Sequence, residues 1–332
     1  MTDTYLAGDI GGTKTILALY TRETGPDQPF DREVFPSRDF SSLEQIIQAY
    51  LANRNKNICG ACFGVAGPVK DERVQATNLA WVIEAKSLTA NINCSKLWLL
   101  NDLIATAKAV PHLASQDIHT LKSGIPSANG AVGIVAPGTG LGESILVWKG
   151  DRYIALPSEG GHSNFGPTNP LEIGLLSYLQ HEIGHVSYES VCSGMGIPHL
   201  YTYLRNVHML PEPDWLRDAL EIAPDPVPII AMGALERKSE ICERTMELFI
   251  SILGNEAGNL ALSIFATGGI YLGGGIPPRI LPLFERDAFM GAFINKGRFE
   301  RLLAEIPVYI ILKADTALFG AACHIFEQVG EL

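Results

Sequence analysis

At 332 residues, with 47% hydrophobic and 18% charged side chains, the chain is globular in composition and long enough for two domains with separate cores. Its net charge of −11, with no Lys/Arg run longer than two, argues against a nucleic-acid or anionic-membrane partner and leaves any anionic ligand dependent on local donors. No apolar stretch approaches the ~18 residues of a membrane span, and Asp9 and Lys14 interrupt the first twenty residues, so the cytoplasm is the expected compartment.

In chain order, Leu6-Ala7 leads into Gly8-Asp9-Ile10-Gly11-Gly12-Thr13-Lys14, and Ile16-Leu17-Ala18-Leu19-Tyr20 follows with β-forming character. The pattern predicts a hairpin with a glycine turn. Glycines let successive backbone N–H groups face one concavity, which suits phosphate oxygens. Asp9 can hold hydrated magnesium, and Thr13 and Lys14 add donors. Alone, the segment fits a plain tight hairpin equally well.

Leu43, Ile46, Ile47, Tyr50 and Leu51 have helical spacing, with Ser41 or Ser42 as N-cap. Ile58–Val65 reads as a buried strand ending at Ala66-Gly67-Pro68. Cys59 and Cys62 lie in that strand, where residues three apart face opposite sides. No second CxxC and no nearby histidine completes a metal set, so the cysteines read as reduced thiols. Lys96–Leu100 is another strand, stopping at Asn101-Asp102 before a helix to about Val110. Strands followed by helices predict a mixed α/β sheet with its functional edge at the strand ends.

From about Leu113 the pattern begins again. Ala131–Ala136 predicts a strand, Pro137-Gly138-Thr139-Gly140-Leu141-Gly142 a turn, and Ser144–Trp148 the returning strand. Residues 170–264 read as mainly helical, with Pro211 to Pro228 as a surface connection and 236–264 as one long helix. Ile270-Tyr271-Leu272 then enters a third glycine turn, Gly273-Gly274-Gly275. A strand from Val308 to Leu312 and a helix from about Thr316 to Gln328 close the chain. His181-Glu182-Ile183-Gly184-His185 is a literal H-E-x-x-H, but Gly184 sits inside the required helical turn and no acid stands near Arg205 to supply a third ligand.

Three glycine turns at strand ends would surround a nucleotide, yet neither a Walker loop nor a dinucleotide fingerprint is present. Hairpin phosphate loops in duplicated α/β halves resemble the actin–hexokinase–Hsp70 architecture. More closely, the chain resembles the bacterial glucokinase family over almost its whole length. The motifs stand in family order: Gly8–Thr13 (phosphate-1), Ala76-Thr77-Asn78-Leu79-Ala80-Trp81, Asn101-Asp102-Leu103, and Ala136–Gly142 (phosphate-2). They continue with Glu159-Gly160-Gly161-His162 and Phe165-Gly166-Pro167, then Val186–Gly194, then Leu272–Ile276 (the adenosine turn). Ser158 stands where many relatives have glycine.

The resemblance implies a two-lobed actin-like (ribonuclease H-like) ATPase fold with duplicated α/β domains around a central cleft. The expected domains are residues 1–112 plus 313–332, and 113–312. It implies ATP-dependent phosphorylation of D-glucose at the 6-hydroxyl. ATP would be held by Gly8, Asp9, Ile10, Gly11, Gly12 and Thr13, by Gly138, Thr139 and Gly140, and by Gly273, Gly274 and Gly275. Mg2+ would be held by Asp9 through water. A sugar hydroxyl becomes a good nucleophile once a carboxylate accepts its proton, and Asp102 is the expected base. Glucose would be bound by Asn101, Asp102, Glu159, His162 and Glu189, with Thr77 and Asn78 as further rim residues. Each has a plainer reading: Asp102 as an N-cap, Asn101 as a turn residue, Glu159 as a solvated acid, His162 as an ordinary polar histidine, and Glu189 as a complement to a helix dipole. Sugar-driven closure, hinged near 110–115 and 312–316, is expected to suppress ATP hydrolysis. The resemblance also implies a homodimer. The alternatives are a ROK-type kinase for another hexose or N-acetyl sugar, and a non-catalytic sugar sensor.

Overall fold

The computed structural model describes residues 3–54 and 56–332. The chain divides into two compact units: Met1–Ala114, Arg152–Leu156 and Lys313–Leu332 form the first, and Ser115–Asp151 and Pro157–Leu312 form the second.

In the first unit, strands β1 (Thr4–Ile10) and β2 (Lys14–Thr21) form the antiparallel glycine hairpin, in register from Thr4↔Thr21 to Ile10↔Thr15. β3 (Asp31–Pro36) extends it, and helix α1 (Leu43–Leu51) follows, capped by the Ser42 hydroxyl accepting from Gln45 N–H at 3.4 Å. β4 (Ile58–Val65) lies parallel to β1. A small three-stranded sheet of β5 (Val69–Lys70), β6 (Arg73–Gln75) and β7 (Val82–Glu84) comes next, then α2 (Ala85–Ile92), β8 (Leu97–Asn101) and α3 (Asp102–Ala109). The main sheet has the order β3-β2-β1-β4-β8. Strand alternation sends Leu6, Leu17 and Leu19 to the face packed with Ile46, Ile47 and Tyr50 of α1. Tyr5, Ala7, Ile16 and Ala18 go to the other face.

The reading of Cys59 and Cys62 as facing opposite sides needs correction. Thr4 pairs with Ile58 but Tyr5 with Gly60, so a bulge at Cys59 resets the alternation, and both thiols pack with the same cluster as Tyr5. All six cysteines are free.

The second unit begins with β9 (Ile118–Lys122), then repeats the hairpin as β10 (Val132–Pro137) and β11 (Leu141–Trp148). β11 starts three residues earlier than expected, which narrows the turn to Gly138-Thr139-Gly140. β12 (Tyr153–Ser158) follows in the chain, its residues up to Leu156 counted with the first unit. The helices are α4 (Pro170–Ile183), α5 (Gly196–Asn206), α6 (Asp214–Ile222), α7 (Val227–Leu235) and α8 (Glu240–Ile264). The stretch from Pro211 to Pro228 is therefore not a bare connection. Pro213 supplies the N-cap of α6, and Leu216 buries its apolar side. β13 (Gly269–Leu272), α9 (Leu281–Phe284), α10 (Ala288–Ile294), α11 (Glu300–Glu305) and β14 (Val308–Ile311) complete the unit. The sheet order is β12-β11-β10-β13-β14-β9. Its first five strands thus repeat the topology of the first unit: an antiparallel hairpin whose first strand continues into parallel neighbours. α8 is buried along most of its 25 residues, among Leu175, Leu200, Phe289 and Phe293.

The last helix, α12 (Thr316–Val329), returns to the first unit and covers the Tyr5–Ala7 face through Leu318, Ala322 and Phe326. It meets α3 so closely at Gly320 that a Cβ there would collide with the Ala105 carbonyl oxygen.

Candidate active site

In the first unit the parallel strands β1, β4 and β8 end side by side, with Ile10 paired to Val65 and Val65 to Asn101. Open α/β sheets bind ligands at this carboxyl edge. The turn Gly11-Gly12-Thr13 projects from it. Gly11 N–H donates to Lys14 O at 3.0 Å, and Ser37 N–H donates to Thr13 O at 3.0 Å. The fully buried Ser37 hydroxyl donates to Gly11 O at 2.7 Å. The sequence reading missed Ser37, which braces the turn from the end of β3. Thr77 is tied to Ala66 O through its N–H (3.0 Å) and its hydroxyl (3.2 Å). That places Asn78 against Gly12, where a Cβ would stand 2.5 Å from the Asn78 Cβ.

Asn101 and Asp102 divide the work at the start of α3. Asn101 is the N-cap: its Oδ1 accepts from Leu103 N–H (3.0 Å) and Ile104 N–H (3.4 Å), and its Nδ2 donates to Gly67 O (3.1 Å). The N-cap role considered for Asp102 thus falls to its neighbour, and the Asn101 amide is largely engaged within the protein. Asp102 Oδ1 accepts from Leu103 N–H at 2.9 Å, which fixes its carboxyl at the helix N-terminus.

Asp9 is half-buried near Asp102. Burial first, then the Asp102 charge, push its carboxyl up to about 6, against the pull of Lys14. Asp315, the N-cap residue of α12, adds to the push while itself held by Arg32 at 2.6 Å. A carboxylate pushed up by its acidic neighbours is relieved by a cation. The donor set fits Mg2+, a hard ion that keeps waters and takes one or two carboxylates beside phosphate oxygens. Among the described residues no group of three or more His, Cys, Asp or Glu could hold a metal on its own. His181 lies in the last turn of α4, Gly184 turns out of the helix with φ 73°, and His185 Nε2 meets Asn164 Oδ1 at 2.8 Å, so H-E-x-x-H presents no paired histidines.

The second unit gathers the other motifs. Gly194 N–H donates to Gly138 O (2.8 Å) and Met195 N–H to Thr139 O (3.1 Å), so the phosphate-2 turn is held by the segment that follows Cys192. Gly273 N–H donates to Val135 O (2.9 Å) and Ile276 N–H to Pro137 O (3.3 Å), which lays Gly273-Gly274-Gly275 along the end of β10. Gly274 has φ 77°, and any Cβ there would collide with Pro137 O.

Residues 161–165 run antiparallel to 186–189. Phe165 N–H donates to Val186 O (2.9 Å), Tyr188 N–H to Ser163 O (3.0 Å) and Glu189 N–H to Gly161 O (2.8 Å). This register brings His162 Nε2 to 3.5 Å from Glu189 Oε1, while Glu189 Oε2 accepts from Leu141 N–H at 2.8 Å. One carboxylate therefore touches both the histidine of the sugar motif and the first residue after the phosphate turn. Glu159 and His162 are exposed, and the Glu159 carbonyl accepts from His162 N–H at 3.0 Å. Among the described residues no helix is long and apolar enough to cross a membrane.

Two units of one topology, each with a glycine hairpin at the central strand's end, define an actin-like ATPase fold of the sugar-kinase class. The glucokinase family model matches residues 6–328. A glucokinase of Nostoc punctiforme is 42% identical over 333 residues, covering 96% of this chain and 97% of the relative. The crystal structure of glucokinase from an Antarctic psychrotroph superposes with a TM-score of 0.85 at 33% identity, covering 98% of this chain and all of that one. A ROK family glucokinase from Streptomyces griseus, solved with glucose and AMPPNP, shares the fold at a TM-score of 0.63 and 18% identity, covering 96% of this chain and 98% of that one. The chain belongs to the glucokinase family of enzymes.

Proposed function

We propose that this chain transfers the γ-phosphoryl group of ATP to the 6-hydroxyl of D-glucose, with Asp102 as general base. The observation that carries the reading is the position of Asp102. It opens α3 at the sheet edge where β1, β4 and β8 end, near Asp9 at the foot of the phosphate-1 turn. Family membership, and the glucose and AMPPNP of the Streptomyces griseus relative, support the choice of substrates.

Phosphoryl transfer asks for positioning and charge stabilisation rather than covalent chemistry. Asp102 accepts the O6 proton as the O6–Pγ bond forms and the bond from Pγ to the bridging oxygen breaks, releasing ADP. A carboxyl fixed by Leu103 N–H and a capped helix start is oriented before the sugar arrives. Asn101 acts chiefly by holding that helix start. Glu189, His162 and Glu159 supply acceptors and donors to the ring hydroxyls, so an epimer leaves one of them unpaired. The glycine turns at 11–13, 138–140 and 273–275 receive the nucleotide. Mg2+, held through water by Asp9, neutralises phosphate charge when bound.

Closure upon sugar binding, hinged near residues 110–115 and 312–316, keeps water from the γ-phosphate. Small-angle scattering with and without glucose reads it as compaction. A homodimer is proposed on the family resemblance and is read by sedimentation equilibrium. The functional reading is tested by a coupled assay with ATP across glucose, mannose, fructose and N-acetylglucosamine. Glucose is expected to have the highest kcat/KM, and phosphorylation of N-acetylglucosamine in preference would overturn it.

A further inference from the structure

Below the sugar segment, the second unit buries two carboxyl groups that the mechanism above does not use. Glu143 stands on β11 opposite Val135 and is 4% exposed, and Glu256 lies in mid-α8 at 5% exposed. The two carboxyls lie close enough to one another to share a hydrogen bond. Ionised carboxylates only accept, so such a bond requires a proton on one of them. Glu143 is the member suited to carry it, because its Oε1 has no partner among the described residues, and a charged oxygen left that way is the costlier state.

Glu256 has the donors an anion needs: Asn259 Nδ2 at 2.9 Å, the Tyr188 hydroxyl and the Glu143 acid, with the Lys296 ammonium close by. The Tyr188 hydroxyl in turn accepts from Asn255 Nδ2 (3.1 Å) and Asn259 Nδ2 (2.8 Å), whose side-chain oxygens meet Lys296 Nζ. Tyr188 immediately precedes Glu189, and its backbone N–H holds Ser163 O. On the other side of the pair, Glu143 Oε2 lies directly against Gly160, where any Cβ would collide with it. The pair therefore touches both strands of the sugar segment: Glu143 supports the Gly160 turn, and Glu256 anchors Tyr188.

We propose that Glu143 and Glu256 share a single proton and thereby act as positioning residues, holding Glu159-Gly160-Gly161-His162 and Tyr188-Glu189 in the register that binds sugar. This rests on the reading of those residues as sugar ligands. The titratable and charged groups around the pair are Tyr188 and Cys192 from the 186–195 segment and Lys296 from beyond α10, with the buried Glu172 of α4 acting in turn on Lys296. Burial first, then the Glu256 charge, push Glu143 up to about 8. Burial pushes Cys192 and Tyr188 further up, so neither ionises before it. Above that point two buried carboxylates repel beneath Gly160 and the sugar register is lost.

The test is glucose binding to the whole protein by calorimetry between about pH 7 and 9. If only the protonated pair is competent, the competent fraction falls from about 0.9 to about 0.1, and the wild-type Kd rises ~10-fold. Glu143→Gln keeps a donor toward Glu256 without a titrating proton. Glu256→Gln removes the opposing charge and serves should the first variant not fold. Each is expected to bind glucose at pH 7 within ~3-fold of wild type; Glu143→Gln should show no alkaline rise, and Glu256→Gln, in which burial alone still raises Glu143, a smaller one than wild type. A wild-type Kd flat across the range, a folded glutamine variant with the same rise, or one unable to bind at pH 7 would overturn the proposal. Wild type that binds no glucose at any pH would sink the functional reading instead. The pair is then still read from thermal unfolding, where wild type should lose stability from pH 7 to 9 relative to both variants, and parallel curves would refute it.

Discussion

Glu189 offers the most discriminating perturbation, because its two oxygens face different halves of the second-unit site. Oε1 stands 3.5 Å from His162 Nε2, and Oε2 accepts from Leu141 N–H at 2.8 Å, one residue beyond the phosphate-2 turn. Glu189→Gln keeps one oxygen, which can continue to accept from Leu141 N–H, and replaces the other with a donor. The loss is confined to the sugar side: one charge-assisted hydrogen bond of ~1.5–3 kcal/mol, or a ~10- to ~150-fold rise in glucose KM. The KM for ATP should stay within about twofold of wild type. Glu189→Ala removes both oxygens and leaves Leu141 N–H unpaired at ~1–2 kcal/mol, so the ATP KM should rise as well, by ~5- to ~30-fold. Steady-state kinetics with each substrate varied against saturating partner reads the difference. If the glutamine variant raises both KM values alike, or the alanine variant leaves the ATP KM untouched, the bridging role assigned to this carboxylate is wrong.

Further outcomes follow from the packing. Gly320→Ala drives a methyl into the Ala105 carbonyl of the helix that begins at Asp102, so it should destabilise by ~1–3 kcal/mol in urea unfolding and lower kcat more than either KM. Gly160→Ala collides with Glu143 Oε2, and should raise glucose KM while leaving ATP KM unchanged. His324 lies buried edge-on to Trp98, and burial, then the Lys108 charge, hold its imidazole down at about 4. The unfolded chain takes up that proton below ~6.5 and the folded chain only below about 4, so stability should fall by up to ~3 kcal/mol as pH drops between them. Urea titrations of His324→Phe across that window should show a smaller fall than wild type, and an equal one would refute the assignment.

Much of this was legible in the residues. Glycine clusters at the ends of β-forming runs marked the turns after Ile10, Pro137 and Leu272, because each lies where a strand must end, and at Gly274 the positive φ and the Pro137 carbonyl leave room for nothing else. The branched apolar runs at Ile58–Val65 and Leu97–Asn101 gave the parallel strands, and the position of Asp102 followed. What the sequence hid is tertiary. Helix α6 lay inside a stretch whose prolines read as punctuation, although Pro213 initiates rather than breaks it. The bulge at Cys59 depends on pairing with β1 and leaves no mark in composition. Nothing in the sequence singled out Ser37, because its grip on Gly11 and Thr13 depends on β3 pairing with β2. Nothing in the sequence links Glu143 to Glu256, which lie more than a hundred residues apart. Only the close approach of β11, α8 and Gly160 turns them into a buried pair.

The account depends most on Asp102 as the proton acceptor, and Asp102→Asn addresses it directly. The helix start should survive, because Asn101 supplies the cap and the new amide oxygen can still accept from Leu103 N–H. The decisive quantity is the kcat of this variant with ATP and glucose, taken beside its calorimetric glucose Kd. A fall of ~10²- to ~10⁴-fold in kcat with Kd within about threefold of wild type is the predicted result. A kcat within about tenfold of wild type would contradict the claim that this carboxylate takes the proton from O6.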